Sequence, residues 1–226
     1  MHQNKAVIIV AGGKGQRMGG ELPKQFMPVG QIPILVHTLQ AFYDAVPGAQ
    51  LIVVMHAEYL QFWKEMATQF NAPEHELIAG GEERFYSVQH GLSLLKNHIE
   101  YVGVHDAVRP FVSKQVILSC FSGAKEHRAV VPVIDEIDSI RELTSEGNRS
   151  VNRASFKRVQ TPQCFERILL QHAYQQEFSK LFTDDASVVE SNGHSVFLVE
   201  GNKENIKITT PFDLAIAKAI MEKNYE

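Results

Sequence analysis

Short apolar runs rich in β-branched residues alternate with longer segments of helical period along most of this sequence. The apolar runs cover residues 6–10, 51–55, 101–105 and 129–134, and continuous runs of this length are typical of strands buried on both faces of a parallel sheet. Between them, apolar residues recur three and four positions apart, the spacing of a helix with one buried face. This repetition predicts an α/β fold with a mostly parallel sheet and helices on both faces.

The helical stripes lie within residues 34–42, 60–67, 88–95 and 116–121. We predict further helices over 165–178 and 184–191, a strand over 195–199, and a last helix that begins at Thr210 and Pro211, residues suited to a cap and a first turn. No linker-like tract and no internal repeat interrupts the 226 residues. The sequence therefore predicts a single domain over residues 1–226.

A polar stretch over approximately residues 135–152 breaks the alternation. It contains a turn signal at 145–148, and Ile137, Ile140, Leu143 and Val151 flank this turn, which predicts a β-hairpin. A protruding hairpin buries little against its own domain. We therefore expect an arm that packs on a second copy of the chain; the alternative is a solvated surface hairpin.

Charge and cysteine content restrict the class of protein. The net charge of −4 provides no basic field for nucleic acid or an anionic membrane. The early apolar run over 6–11 ends at Gly12 and Gly13, far short of the roughly 20 residues that span a bilayer, and it does not resemble a secretory signal. Cys120 and Cys164 form no CxxC motif, which argues against a disulfide framework or a zinc ribbon. We expect a cytoplasmic enzyme without nucleic-acid or membrane partners.

A glycine-rich loop, AGGKGQRM at residues 11–18, directly follows the first predicted strand. Backbone N–H groups of such a loop can close on an anion because no Cβ blocks the approach. Met18 stands where a dinucleotide fingerprint requires glycine or alanine, and Gly15 follows Lys14 where a P-loop requires serine or threonine. The loop carries the cation Arg17, and Lys24 follows in LPKQF at 22–26. Together they indicate a triphosphate site. The alternative is a glycine turn with solvated basic residues.

A second group of chemically useful residues, HDAVRP at 105–110, ends the third buried strand. Ligands of open parallel sheets bind outside the carboxyl ends of the strands. Asp106 could hold a divalent cation there, and Arg109 could clasp a phosphate; the alternative is an Asp–Arg pair that ties down a loop. We interpret the neighbouring His105 as structural rather than as an acid–base catalyst.

Three further segments add weaker candidates, each of which also fits an ordinary turn or a solvated basic residue. They are GGEER at 80–84 with Ser87, QTPQ at 160–163 after the basic residues Arg153, Lys157 and Arg158, and Lys207 before the last helix. The sequence contains no HExxH motif, no clustered His/Cys spacing and no GxSxG elbow. It therefore predicts neither a zinc site nor a serine nucleophile.

Taken together, these segments resemble the 2-C-methyl-D-erythritol 4-phosphate cytidylyltransferase family over almost the whole chain. The matching segments are AGGKGQRM, LPKQF, GGEERFYSV, VHDAVRPFV, QTPQCF, TDDASVVE and EGNKENIKITTPFDL. The resemblance implies transfer of CMP from CTP to 2-C-methyl-D-erythritol 4-phosphate in non-mevalonate isoprenoid biosynthesis. It also implies a Rossmann-like nucleotidyltransferase fold of three layers, a β-hairpin arm that interlocks a homodimer, and Mg²⁺ as cofactor.

The resemblance further implies a role for each matching residue. The residues at the nucleotide would be Ala11, Gly12, Gly13, Gly15, Gly81, Glu82 and Ser87. The catalytic residues would be Arg17, Lys24, Arg153 and Lys207, with Arg17 and Lys24 neutralising the triphosphate and Arg153 reaching across from the partner's arm region. The alcohol phosphate would contact Asp106, Arg109, Ser139 and Thr161, and Asp106 would also hold the metal.

Two segments depart from the family pattern and keep alternatives open. Residues 135–141 read as a two-residue insertion that leaves Ser139 where the arm threonine usually stands, and the first motif has Gly12-Gly13 where Ala-Gly is frequent. The glycine pair and HDAVRPF also resemble ribitol-5-phosphate cytidylyltransferases, which make CDP-ribitol. A nucleotide-sugar glycosyltransferase fits less well because residues 106–108 are not a DxD motif. A non-catalytic nucleotide-binding module would need fewer charges around the phosphates.

Overall fold

This computed structural model describes residues 4–12 and 22–223 of the chain. Strands and helices alternate over much of this part, but residues 129–166 form successive strands without an α-helix. The strands are β1 (Lys5–Ala11), β2 (Pro28–Val29), β3 (Ile32–Pro33), β4 (Gln50–Met55), β5 (Glu76–Ala79), β6 (Tyr101–Asp106), β7 (Ala129–Asp135), β8 (Arg141–Thr144), β9 (Gly147–Ser150), β10 (Lys157–Val159), β11 (Gln163–Glu166) and β12 (Phe197–Glu200). The α-helices are α1 (Ile34–Ala45), α2 (Leu60–Gln69), α3 (Arg84–Ser93), α4 (Lys114–His127), α5 (Arg167–Ala173), α6 (Asp185–Ser191) and α7 (Pro211–Lys223).

Eight of these strands form one sheet in the order β10-β7-β11-β6-β1-β4-β5, with β12 paired to β7. Strands β6, β1, β4 and β5 run parallel to one another, whereas β11 is antiparallel to its neighbours β6 and β7. Val130 of β7 pairs with Cys164 of β11 and with Phe197 of β12, so β7 lies between those two strands. The sheet is mostly parallel, as the sequence predicts.

The side chains of β1 alternate between two hydrophobic cores, one on each face of the sheet. Val7 and Ile9 belong to the core that packs against α1, α2 and α4. Ala6 and Ile8 belong to the opposite core, which packs against α3, α5 and α6. This period of two is what a strand buried on both faces imposes. The three-layer arrangement of helix, sheet and helix confirms the predicted fold.

The four predicted buried strands correspond to β1, β4, β6 and β7, and the last helix begins at Pro211 as predicted. The prediction of one helix over residues 165–178 is wrong at both ends, because Gln163–Glu166 is strand β11 and α5 ends at Ala173. Cys164 and Phe165 pair with Gly103 and Val102 of β6, so the strand fills the gap between β6 and β7. The short edge strand β5 also went unpredicted.

The predicted hairpin is present as β8 and β9, which pair antiparallel from Arg141 with Ser150 to Thr144 with Gly147. All residues from 141 to 150 are exposed, and Leu143 keeps 84% of its surface open to solvent. Packing of this arm on a second copy stays a prediction. In the part of the chain that the structure describes, no helix is long and apolar enough to cross a membrane.

Candidate active site

The carboxyl ends of β1, β4, β5 and β6 meet at an open cleft of about 950 Å³. This is the edge at which open parallel sheets bind ligands. The cleft brings together eight of the predicted site residues: Ala11, Gly12, Lys24, Gly81, Glu82, Ser87, Asp106 and Lys207. The predicted residues Gly13, Gly15 and Arg17 lie outside the described residues.

The two glycines before α3 leave no room for a side chain. A Cβ on Gly81 would lie 2.4 Å from Cβ of Tyr86, and a Cβ on Gly80 would lie 2.7 Å from Oγ of Ser87. The N–H of Gly80 donates to the carbonyl oxygen of Met55 at the end of β4 (2.7 Å), and the N–H of Gly81 donates to Oγ of Ser87 (3.2 Å). Close packing therefore holds this main chain at the wall of the cleft.

Lys24 is held at the cleft by the residues that follow it in a 3-10 turn, Lys24–Phe26. The Gln25 amide is buried and donates from Nε2 to the carbonyl oxygen of Ala11 (2.9 Å). The Phe26 ring is also buried and meets Phe62 edge to face, with ring centroids 5.1 Å apart. These two anchors fix the backbone of Lys24 beside the end of β1.

Three cations surround Asp106 at the end of β6. Nζ of Lys207 lies 3.0 Å and Nε of Arg109 3.2 Å from Oδ2, while Nε of Arg84 lies 3.9 Å from Oδ1. Burial alone would raise the pKa of Asp106, but Arg84, Lys207 and Arg109 outweigh it and hold this pKa well below its usual range. The carboxylate is therefore charged at neutral pH, in surroundings that favour anions.

Arg84 is a site residue that the sequence interpretation missed. Its Nη1 and Nη2 donate to Oδ1 (2.9 Å) and Oδ2 (2.6 Å) of Asp185, a fully buried residue to which the hydroxyl of Tyr174 also donates (2.6 Å). A bidentate pair of this kind fixes the plane of the guanidinium. The sequence offered one signal, the pair Asp184-Asp185. Only Asp184 caps α6, so Asp185 needed a different partner.

Lys207 is brought to Asp106 by an extended segment that is bonded to the loop after β6. The N–H of Ile208, a fully buried residue, donates to the carbonyl oxygen of Val108 (3.0 Å). Nη1 of Arg109 donates to the carbonyl oxygen of Asn205 (2.8 Å). The Lys207 side chain, about half exposed, therefore points from an anchored backbone into the cleft.

Thr161 lies directly behind Asp106 and is only 5% exposed. Its Oγ1 accepts from the N–H of Asp106 (3.1 Å) and lies 2.9 Å from Nδ1 of His105. Burial lowers the pKa of His105 to about 4, so this ring is neutral at pH 7. The predicted structural role of His105 is consistent with its complete burial.

Arg153 and Ser139 do not line the cleft of their own chain. Both are exposed in the arm region, where Nη1 of Arg153 donates to the carbonyl oxygen of Ile137. The prediction that Arg153 serves the cleft of a partner requires a second copy of the chain. The roles assigned to both residues stay predictions.

Within residues 4–12 and 22–223, no group of three His, Cys, Asp or Glu side chains could hold a metal ion. Asp106 is the carboxylate at the cleft nearest the cations, and its Oδ1 is less engaged by them than Oδ2. Mg²⁺ typically takes one or two carboxylates together with substrate phosphates. The residues present therefore fit an ion shared between Asp106 and a bound triphosphate.

Comparisons with known proteins show which family the chain resembles. Residues 5–223 match the family model of 2-C-methyl-D-erythritol 4-phosphate cytidylyltransferase. Proteins of that name from Bacteroides thetaiotaomicron and Bacteroides fragilis are 54% and 53% identical over 220 and 218 residues, and each alignment covers 96% of this chain and 99% of the relative.

Two solved structures show the same fold. The 4-diphosphocytidyl-2C-methyl-D-erythritol synthase of Anaerococcus prevotii superposes with a TM-score of 0.83 at 26% identity, covering 98% of this chain and all of the other. The 2-C-methyl-D-erythritol 4-phosphate cytidylyltransferase of Thermus thermophilus gives 0.76 at 31% identity, covering 96% and 98%. With the family model matched over nearly its whole length, the chain belongs to the 2-C-methyl-D-erythritol 4-phosphate cytidylyltransferase family.

Proposed function

We propose that this protein transfers the CMP moiety of CTP to 2-C-methyl-D-erythritol 4-phosphate, giving 4-diphosphocytidyl-2-C-methyl-D-erythritol and pyrophosphate. The observation that carries the proposal is the cluster of Arg84, Arg109 and Lys207 around Asp106, which lines the cleft. Relatives more than half identical to the chain bear the name of this activity. They give no support to the ribitol 5-phosphate alternative, which the experiment below tests directly.

The chemistry requires no proton transfer. An oxygen of the alcohol's phosphate forms a bond to the α-phosphorus of CTP, while the bond from that phosphorus to the oxygen bridging to the β-phosphate breaks. The electron pair of the broken bond leaves with pyrophosphate. Because the attacking oxygen is already an anion, the protein must chiefly offset the repulsion between two anions and align them.

The cations of the cleft meet this requirement from two sides. Lys24 lines the cleft beside the end of β1, where the glycine-rich loop would bind the triphosphate. Arg17 would supply a second positive charge to it. Lys207 and Arg109 stand at Asp106, where the alcohol phosphate would bind. The main chain around Gly81 would hold the cytosine and ribose.

Mg²⁺ would be held by Asp106 and the oxygens of the triphosphate. Once bound, it would neutralise charge on the phosphates and on the departing pyrophosphate. We expect chelation with EDTA to abolish pyrophosphate release and added Mg²⁺ to restore it. Release that continues in excess EDTA would contradict a divalent cofactor.

The experiment that tests the function compares two acceptors. With CTP and Mg²⁺, we expect pyrophosphate release with 2-C-methyl-D-erythritol 4-phosphate and little with ribitol 5-phosphate, and a product mass that includes CMP. Turnover with ribitol 5-phosphate alone would leave CMP transfer as the reaction but make ribitol 5-phosphate the acceptor. Absence of pyrophosphate release with both acceptors would refute the proposal.

The substrates are water-soluble phosphates, and we propose that the chain works as one domain in the cytoplasm.

We further propose that the arm joins two copies of the chain. Ile137 and Leu143 are 65% and 84% exposed, and Phe156 and Val159 near the arm's base are each 45% exposed. A two-stranded hairpin is at best marginally stable alone in water, and these apolar side chains supply a surface for a partner. A second copy would also bring the partner's Arg153 within reach of the cleft.

The oligomeric state tests this arm directly. We expect sedimentation velocity to show a dimer for the wild type and a monomer for Leu143→Glu, since a carboxylate would replace an apolar contact. Thr144→Glu places the same charge on the next residue of β8, where the side chain points to the opposite face, and should leave the dimer intact. A monomeric wild type would refute the proposed dimer.

A further inference from the structure

A chain of hydrogen bonds runs behind the reacting groups, from the segment before β11 to both ends of the turn that follows β6. Thr161 lies two residues before Gln163, the first residue of β11, which pairs with Val104 of β6. The N–H of Asp106 donates to Oγ1 of Thr161 (3.1 Å), which lies 2.9 Å from Nδ1 of His105. Nε2 of His105 in turn lies 3.0 Å from the carbonyl oxygen of Arg109.

The ring of His105 is completely buried, and with a single proton on this ring only one arrangement satisfies all three bonds. The carbonyl oxygen of Arg109 can only accept, so Nε2 of His105 carries the ring proton. Nδ1 then carries no proton and accepts a hydrogen bond that the Thr161 hydroxyl donates. The oxygen of that hydroxyl accepts from the N–H of Asp106. Donation therefore runs from Asp106 to Thr161, from Thr161 to His105 and from His105 to Arg109.

The one proton of the Thr161 hydroxyl is therefore used inside the protein. Hydrogen bonding of this proton to a substrate phosphate would leave Nδ1 of His105 unpaired in a fully buried position. The turn itself is closed by two bonds of Arg109 to Asp106, from the backbone N–H to the carbonyl oxygen (3.1 Å) and from Nε to Oδ2 (3.2 Å). Thr161 and His105 thus connect both ends of this turn to the segment before β11.

We propose that Thr161 and His105 are positioning residues, through which the segment before β11 sets the separation and orientation of the Asp106 carboxylate and the Arg109 guanidinium. On this proposal, the Thr161 hydroxyl donates no hydrogen bond to the phosphate of the substrate and instead orients the groups that bind it. This differs from the direct substrate contact that the family resemblance implies for Thr161. The kinetic consequence rests on the proposed function, whereas the ring tautomer of His105 does not.

Matched variants of Thr161 separate the hydroxyl from the shape of the side chain. Thr161→Val removes only the hydroxyl, and we expect kcat/KM for the alcohol phosphate to fall about 10- to 100-fold, the usual cost of losing a group that orients reacting residues. Thr161→Ser keeps the hydroxyl and should stay within about threefold of wild type. Equal activity of Thr161→Val and wild type would overturn the proposal; thermal unfolding midpoints verify that each variant is folded.

A double-mutant cycle distinguishes positioning from direct contact. His105→Phe keeps a buried ring but removes both nitrogens, and it should lower kcat/KM by a factor similar to that of Thr161→Val. If Thr161 acts through His105, the double variant loses no more than the worse single variant. Losses that multiply would show that the Thr161 hydroxyl contacts the substrate independently, and would overturn the proposal.

A third readout requires no activity. In ¹⁵N-labelled wild-type protein at neutral pH, ring correlations of His105 should show the tautomer protonated at Nε2, and Thr161→Val should shift the Nδ1 resonance because its donor is lost. A ring protonated at Nδ1 would overturn the inference. A wild-type protein that is inactive with CTP and 2-C-methyl-D-erythritol 4-phosphate would refute the proposed function instead. The tautomer of His105 would then still test the positioning role.

Discussion

His105 makes the stability of the fold depend on pH in a way that one substitution should reveal. Burial beside Phe42, with ring centroids 4.7 Å apart, lowers the pKa of His105 from 6.5 to about 4. Between those values the unfolded chain binds a proton on this ring and the folded protein does not. The free energy of unfolding therefore falls as the pH falls. The contribution of the neutral ring is complete above about pH 6.5 and is lost by about pH 4.

The size of this effect follows from the two pKa values. A separation of about 2.5 pH units is worth about 3 kcal/mol in total, of which about 2 kcal/mol is lost by pH 5. His105→Gln replaces the ring with an amide that does not titrate. At pH 7.5 the variant should be about 1–3 kcal/mol less stable, since the buried Thr161 hydroxyl loses its acceptor. The difference in the free energy of unfolding between wild type and variant should narrow as the pH falls and vanish near pH 4.

Urea unfolding followed by fluorescence of the single, fully buried Trp63 measures the free energy of unfolding from pH 4 to 7.5. His98→Gln makes the same substitution at an exposed histidine and should reproduce the wild-type pH dependence. Titrating carboxylates contribute to all three proteins, so the difference between wild type and His105→Gln isolates the ring. Parallel curves for these two proteins across the whole range would refute the argument.

Three other substitutions test the cleft. Lys24→Ala should lower kcat by about 10²–10³, the cost of losing one preorganised charge-stabilising group. Lys64→Ala, at an exposed position of α2, should leave kcat unchanged. A folded Lys24→Ala enzyme with wild-type kcat would exclude a charge-stabilising role for Lys24. Gly81→Ala should lower the midpoint of thermal unfolding and raise KM for CTP, because the added Cβ has no space. A Cβ added at Gly12 would lie 3.5 Å from its nearest neighbour, so Gly12→Ala should unfold at the wild-type midpoint. Asp185→Asn should cost about 3–5 kcal/mol in urea unfolding, since it leaves a guanidinium without its buried charge partner; a loss below 1 kcal/mol would contradict that pairing.

The central strands were predictable because burial on both faces leaves a local mark. Residues 6–10, 51–55, 101–105 and 129–134 are continuous apolar runs, and all four form strands of the main sheet. Strand β11 left no such mark. Its apolar residues adjoin those of α5, so the local pattern does not distinguish a strand from the first turn of a helix; pairing with β6 decides it.

The sequence by itself determined which chemical groups the cleft contains, since Lys24, Asp106 and Lys207 lie in short motifs for which it predicted binding of phosphates and a metal ion. Only the tertiary structure decided which of them act together. Arg84 and Asp185 are 101 residues apart along the chain, yet their charged atoms meet at 2.6 Å. Charge interactions and pKa values depend on distance in space and on burial, and neither quantity exists until the chain has folded.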